Sequence, residues 1–487
     1  MALPHSWLTV ILFLGLLGPA GLPEAESQDP QPASPPVEVA FEGPSKSEYR
    51  ERRAALMQKI KEEEAPSIAM RAALEEAGKR TGPAPGSAGV VVVLIGAGEP
   101  GEDEKFRQSN DFAYLTGVES PHAAMILWPE TGDETLYLPP RNPSAERWEG
   151  PRPGPGPEGV SATGFSRVES TASFLSDLFR AIGDSRTGGR SQSATVYLLE
   201  PDAKLPETPT ARFAEFLREG APSSRMIDVG PKIHAMRKVK SEAEAALLRR
   251  AIAITADAHR EVIRLIRPGI PEYQLEGAIL GAFVAGGGPR AGFPSIVGSG
   301  PNSTTLHYYK NDRTLQDGDL VVVDIGGEYR GYTADITRTY PANGRFTPRQ
   351  LEVYRLVLEA QTAAADDFQP GVSTIASLTQ AATRVLKDSP LRARDEEGTE
   401  QTMDHFFIHG LGHQLGLEVH DVGDTREPLG PGEVFTIEPG IYLPSEGFGV
   451  RIEDDYRVTK DGLEKLSRDI PVEPADLERL IERKGSP

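Results

Sequence analysis

Cysteine is absent from this 487-residue chain. No disulfide framework, thiolate nucleophile or cysteine-based zinc site can form. A bound metal must therefore rely on His, Asp and Glu, a donor set suited to harder divalent ions such as manganese, cobalt or zinc. Positive charge is also short: 52 Lys and Arg against 72 Asp and Glu leave −20 at pH 7. That balance argues against a nucleic-acid partner, because phosphate binding needs a basic surface. Most of these acids belong to solvated surface, and some are available to hold cations. Long apolar runs are scarce too. Only Trp7 to Leu22 is long, uncharged and largely apolar. It is short for a membrane span and suits the core of a signal peptide, with small residues near Ala20 for cleavage, although no Lys or Arg precedes it. The expected mature chain begins between Ala20 and Ser27 and is exported, periplasmic or secreted; the alternative is an uncleaved N-terminal anchor. No stable membrane span is expected after processing.

What is present reads as several domains of a soluble globular protein, with 38% apolar and 25% charged residues. Residues 1–25 are assigned to the signal peptide and 26–45, rich in Pro, Glu and Ser, to a linker. An N-terminal domain follows over 46–235. In it "SEYRERRAALMQKIKEE" has helical character, and "AGVVVVLIGAG", "AAMILWP", "ETLYLPP" and "ATVYLLE" read as strands. "PRPGPGPEG" at 151–159 is an interrupting loop. This alternation predicts an α/β fold. A second domain is expected over 236–475, and a C-terminal tail over 476–487. "SEAEAALLRRAIAITADAHREVIRLIRPGI" and "TPRQLEVYRLVLEAQTAAADDFQPGV" each predict a long helix ending before a Pro-Gly, then a second helix, then β-like sequence. The two helix–helix–strand halves, offset by about a hundred residues, suggest an internal repeat.

Four of the nine histidines, His405, His409, His413 and His420, crowd into "DHFFIHGLGHQLGLEVHDVG". The first three fall at helical spacing, but the glycines among them argue against a regular helix. Upstream, "DGDLVVVDIGGEYRGYTADITRTY" predicts a hairpin turning near Tyr329 to Gly331. Ten residues separate Asp324 from Asp335, an even number that permits direct opposition across the two strands. Opposed carboxylates repel in a half-buried sheet unless a cation lies between them. Glu438 ends the apolar run of "VFTIEPGIY", and Glu453 is expected within the alternating strand "GVRIEDDYRVT". Four acids in strands beside a histidine cluster suit a hard divalent ion.

These stretches, in this order, resemble the pita-bread metallopeptidases, and within them the Xaa-Pro aminopeptidases (aminopeptidase P) and their prolidase relatives. The similarity covers roughly 235–470 and extends upstream through "FRQSNDFAYLTGVESPHAAMILWP". The resemblance implies an α/β N-terminal domain followed by an α+β pita-bread catalytic domain with an internal pseudo-twofold repeat. It implies five metal ligands, Asp324, Asp335, His413, Glu438 and Glu453, holding two divalent ions, with manganese expected and cobalt or zinc as alternatives. His307, His409 and His420 match substrate-site histidines, whereas His405 has no counterpart and is expected as a hydrogen-bonded structural residue. Tyr442 matches a tyrosine near the metals and Arg451 an arginine that orients the acids; both join the expected substrate-binding set. Trp148 resembles part of a loop reaching a neighbouring subunit, with a core position as the alternative, and a homodimer or homotetramer is implied.

The implied reaction is hydrolysis of the bond before a proline in second position by a metal-bridged hydroxide. Glu438 would shuttle the proton, and His420 and His307 would hold the carbonyl oxygen or the proline side. Prolidase activity on dipeptides is the main alternative, and a catalytically silent binding protein the other. The "RQSNDFAYLTG" run favours the aminopeptidase.

Overall fold

The computed structural model describes residues 43–69, 89–101, 104–182, 194–200 and 208–482. The expected signal peptide and nearly all of the linker lie outside these residues. The N-terminal part is built on a six-stranded sheet: Val90–Ile95 (β1), Ala124–Trp128 (β2), Asp133–Leu138 (β3), Val168–Ser170 (β4), Thr195–Leu198 (β5) and Arg225–Asp228 (β6), in the order β4-β3-β2-β1-β5-β6. β1 is the continuous apolar run foreseen from sequence, and both of its faces are covered. Val90, Val92 and Leu94 pack on Leu56 and Ile60 of the helix Lys46–Glu63. Val91 and Val93 face the other core with Phe174, Leu178 and Leu217. Strand periodicity of two sends alternate residues to opposite cores, each buried Val or Leu contributing about 1.5–3 kcal/mol. The stretch 151–159 is not wholly loop: a helix, Pro157–Thr163, begins inside it with proline in its first turn. The helix Gly230–Arg237 runs across the boundary expected at 235.

The C-terminal half opens with the helices Glu242–Leu265 and Glu272–Ala285, and the scheme recurs with Pro348–Asp366 and Ile375–Asp388. Both long helices start with a reciprocal capping box, Ser241 with Glu244 and Thr347 with Gln350, which satisfies two otherwise orphaned backbone donors each time. The four helices and the strands between them share one core. The strands are Arg290–Ala291 (β7), Ile296–Ser299 (β8), Leu320–Ile325 (β9), Gly327–Tyr329 (β10), Tyr332–Thr333 (β11) and Ile336–Pro341 (β12). After the short pair Arg392–Arg394 (β13) and Glu400–Thr402 (β14) come Val434–Ile437 (β15), Gly440–Leu443 (β16), Phe448–Arg451 (β17), Asp454–Thr459 (β18) and Gly462–Lys465 (β19). Each half contributes a three-stranded sheet, β12-β9-β8 in the first and β15-β18-β19 in the second.

One expectation is narrowed and two need correction. The hairpin turns on Arg330-Gly331, both at positive φ (49° and 84°) between the paired Tyr329 and Tyr332, a geometry matched to strand twist. That turn sets the register so that Asp324 faces Thr337. Asp335 lies two residues earlier on the same face, a diagonal rather than a direct neighbour of Asp324. Glu453 is not inside a strand. β17 pairs with β16 and β18 with β15, so the chain changes partners at Ile452-Glu453. Finally, residues 474–482 form a helix whose Leu477 and Ile481 enter the core, where a tail was expected from 476.

Candidate metal centre

Four of the five candidate ligands sit where a strand ends, begins or changes partner. Asp324 is the penultimate residue of β9, Asp335 enters β12, Glu438 follows β15 and Glu453 occupies the switch between β17 and β18. His413 lies on a non-helical loop laced to β15: Thr436 N–H donates to His413 O (2.9 Å) and His413 N–H to Thr436 Oγ1 (3.2 Å). The preceding Gly412 permits this approach, since a Cβ there would stand 2.0 Å from Thr436 O.

Donor atoms of Asp335, His413 and Glu453 all lie within 4.8 Å of one another. His413 Nε2 is 3.3 Å from Asp335 Oδ2 and 3.5 Å from Glu438 Oε1. Its Nδ1 faces the carbonyl of Gln414 at 3.1 Å and must carry the ring proton. Nε2 therefore turns a lone pair toward carboxylates, an arrangement that calls for a cation. Burial, then His420, depresses the His413 pKa to about 4, so the ring is neutral.

The carboxylates are no better matched. Asp324 Oδ1, Asp335 Oδ1 and Glu453 Oε1 are buried without a donor. Burial first, then the neighbouring acids, pushes the Asp335 and Glu453 pKa values well above the usual range, and Glu438 rises to about 8. Like charges sharing a dry space must be protonated or neutralised by a cation. The orphaned oxygens, the inward imidazole lone pair and the mixed O/N donor set all fit divalent metal.

Around the acids runs a chain of positioning groups. Arg451, buried, donates to Asp324 Oδ2 (2.6 Å) and to Tyr442 OH (2.9 Å). Tyr442 in turn bonds His409 Nε2 at 2.9 Å. Arg451 also reaches Thr337 Oγ1 and Leu306 O, so its donors serve the protein's own groups. His420 stands edge-on to His413 with ring centroids 4.3 Å apart. His307, stacked on Tyr309, is close enough to contribute to the lowered pKa values of His409 and His420, where burial is the main cause. The structure thus gathers Asp324, Asp335, His413, Glu438, Glu453, His307, His409, His420, Tyr442 and Arg451. His405 does not join them. It is exposed against Phe406, and no hydrogen bond to its ring is found among the described residues. Trp148 is 90% exposed, which excludes a core position.

Sequence reasoning missed three contributors. Thr337 Oγ1 donates to Glu453 Oε2 at 2.7 Å; a threonine in a strand carries no distinguishing signal. Asp455, fully buried, accepts from Asp335 N–H at 3.3 Å; the doubled "DD" after Glu453 was its only hint. Asp421 pins the His420 loop through Arg237 (2.6 Å) and Lys240 (3.0 Å), and Arg237 also holds Asp111 of the N-terminal part.

Known proteins can be set beside this geometry. Residues 246–460 match metallopeptidase family M24, and 49–187 match the aminopeptidase P N-terminal domain. The Xaa-Pro aminopeptidase of Escherichia coli K12 is 35% identical over 429 residues, covering 82% of this chain and 94% of that one. Human Xaa-Pro aminopeptidase 3 is 32% identical, covering 77% and 76%. Among solved structures, zinc-substituted E. coli aminopeptidase P in complex with product superposes with a TM-score of 0.75 at 32% identity, covering 91% of this chain and all of that one. Proline aminopeptidase P II from Yersinia pestis gives 0.74 at 34% identity, covering 90% and 100%.

Proposed function

The chain belongs to metallopeptidase family M24 with an aminopeptidase P N-terminal domain and is a metallo-aminopeptidase of the Xaa-Pro type; on that premise we propose that it works with two divalent ions on peptides carrying proline in second position. Asp324, Asp335, His413, Glu438 and Glu453 would hold the ions. Manganese is the proposed metal, with cobalt or zinc as alternatives. Bound ions of this kind supply Lewis acidity and lower the pKa of water toward neutrality. The observation that carries the reading is a cluster with three buried carboxylate oxygens that have no donor, beside an imidazole nitrogen whose lone pair meets Asp335 Oδ2 at 3.3 Å.

The protein's own groups divide the remaining work. Arg451 keeps Asp324 Oδ2 occupied and Thr337 keeps Glu453 Oε2, so each acid turns its other oxygen inward. Glu438, half-buried and 3.5 Å from His413, carries a proton to the prolyl nitrogen as the bond breaks. That nitrogen belongs to a tertiary amide and has no proton of its own. His420 and His307 donate to the carbonyl oxygen as it gains charge. On the His307 side, which we assign to the chain beyond the proline, Tyr309 is 47% and Ile408 60% exposed. An open flank suits a continuing chain better than the closed carboxylate pocket a dipeptidase needs. We further propose export through the N-terminal segment and assembly as a dimer or tetramer.

Elemental analysis of purified protein tests the metal reading, with about two transition ions per chain expected for a two-metal site. A metal-free chain whose turnover ignores chelators would overturn it. Xaa-Pro-Xaa tripeptides should be cleaved at least as fast as Xaa-Pro dipeptides under manganese, and strict confinement to dipeptides would move the assignment to prolidase. N-terminal sequencing of the native protein checks export, which an intact Met1 on a cytoplasmic product would sink.

A further inference from the structure

The acid-and-histidine cluster has two unlike flanks. The flank beyond His307 is open, as the exposure of Tyr309 and Ile408 attests. The flank beyond His420 leads into a cavity of about 500 Å³ that the N-terminal part walls with Arg107 and Asn110. A peptide has no chain before its first residue. The walled flank therefore suits the side chain of that residue, and the open flank the chain continuing past the proline.

Charge inside the walled cavity is uneven. Arg107 donates to Glu328 (2.7 Å), to Asn110 Oδ1 and to the carbonyls of Leu417 and Gly331. Arg290 bonds the carbonyls of Lys105 and Phe106 and lies 3.8 Å from Glu328. Arg237, on the far side of the His420 loop, spends its two amino groups on Asp111 and Asp421. Among the described residues Glu418 has no ion pair of its own, although Arg237 lies near enough to feel its charge. Glu418 is exposed, it lines the cavity two residues before His420, and it receives only the side-chain amide of Asn110.

We infer that this cavity seats a cationic first residue, Lys or Arg, and that Glu418 is the carboxylate that selects it. The inference rests on the Xaa-Pro aminopeptidase reading above. Because Glu418 faces water, the preference is modest, a factor of about two to five.

The test uses the full-length, metal-loaded enzyme and measures kcat/KM on Lys-Pro-Ala and norleucine-Pro-Ala, which share a carbon stem and differ in the ammonium. Glu418→Gln should lower the Lys-to-norleucine ratio by about two- to fivefold, and raised salt should narrow it in the parent enzyme. Glu418→Asp should restore part of it. The same variant should leave the ratio of Ala-Pro-Lys to Ala-Pro-norleucine unmoved. A first-residue ratio unchanged by Glu418→Gln, or a shift seen only with the third-residue pair, overturns the inference while leaving the aminopeptidase intact. Failure to cleave any of these peptides overturns both readings.

Discussion

Glu453 and Asp454 are consecutive residues, at most 1% exposed, and their surroundings are opposite. Asp454 receives Arg338 (2.6 Å), Lys465 (2.7 Å), Ser467 (2.6 Å) and Gln361 (3.0 Å). Those partners outweigh burial and hold its pKa below the usual value. Glu453 receives one hydroxyl, from Thr337, and keeps an oxygen with no donor. Burial and the neighbouring acids hold its pKa high. A change of strand partner between β17 and β18 aims one carboxylate at the site and the next into the support behind it. A buried charge complete within the chain is structural, whereas one left incomplete is complete only with something the chain binds.

Charge-removing substitutions at the two positions should therefore fail in different ways. Glu453→Gln should lower turnover of an Xaa-Pro peptide by about a thousandfold, the scale of losing a central electrostatic group, and lower metal content. Its metal-free stability in urea should match or exceed that of the parent, since repulsion is relieved. Asp454→Asn should do the reverse. It leaves the fully buried Arg338 unpaired, at a cost of about 3–5 kcal/mol in urea unfolding. If Glu453→Gln unfolds the protein while Asp454→Asn leaves it stable, the division between the two acids is wrong.

This division was only half legible in the sequence. An acid behind "LVVV" announces itself because a carboxylate in an apolar strand needs a reason, and Asp324 could be singled out that way. The same logic applied to Arg338 in "ITRTYP" would have pointed to a buried counter-charge, but arginine in a strand also reads as ordinary surface. Helix ends were legible, because Ser241 with Glu244 and the two Pro-Gly pairs are local signals. Register was not. Within the stretch expected to turn, the choice of Arg330-Gly331 makes Asp335 a diagonal rather than a direct neighbour of Asp324, and two positive-φ residues decide that at a level composition does not reach. Nor was the exchange of strand partners at Glu453 visible, since it depends on which sheets β16 and β15 join.

A smaller effect sharpens the comparison at the one hydroxyl Glu453 does have. Thr337 Oγ1 donates to Glu453 Oε2 and accepts from Arg451 Nε at 3.2 Å. It thus fixes which oxygen faces the site. Thr337→Val keeps the shape and removes the donor. Groups orienting a metal ligand typically matter by 10–100-fold in affinity, so competition with a metallochromic chelator should report a loss of about that size. Thr337→Ser should recover most of it. An affinity unchanged in the valine variant would show that Glu453 needs no orientation.

The smallest effect probes the structural side of the pair, where dryness is the premise. His259 is buried beside Arg338: one ring nitrogen faces the carbonyl of Ile336 at 3.3 Å and the other Tyr340 OH at 3.0 Å. Burial first, then Arg338, depresses its pKa to about 3, with Asp454 pulling the other way. The folded chain therefore refuses a proton that the unfolded chain accepts below about 6.5. The unfolded state binds more protons between those values, so the stability held by neutral His259 is complete above about pH 6.5 and is lost as pH falls toward 3. One proton corresponds to a slope of about 1.4 kcal/mol per pH unit. His259→Gln retains both hydrogen-bonding roles without titrating. Subtracting its metal-free urea stability from that of the parent at each pH cancels the acids at the site, whose raised pKa values act with the opposite sign. The difference curve should fall between pH 6.5 and 4 at up to that slope and be flat between pH 7 and 8. A flat curve throughout would mean that water reaches the Arg338–Asp454 region and that its carboxylate is not held apart from Glu453 by dryness.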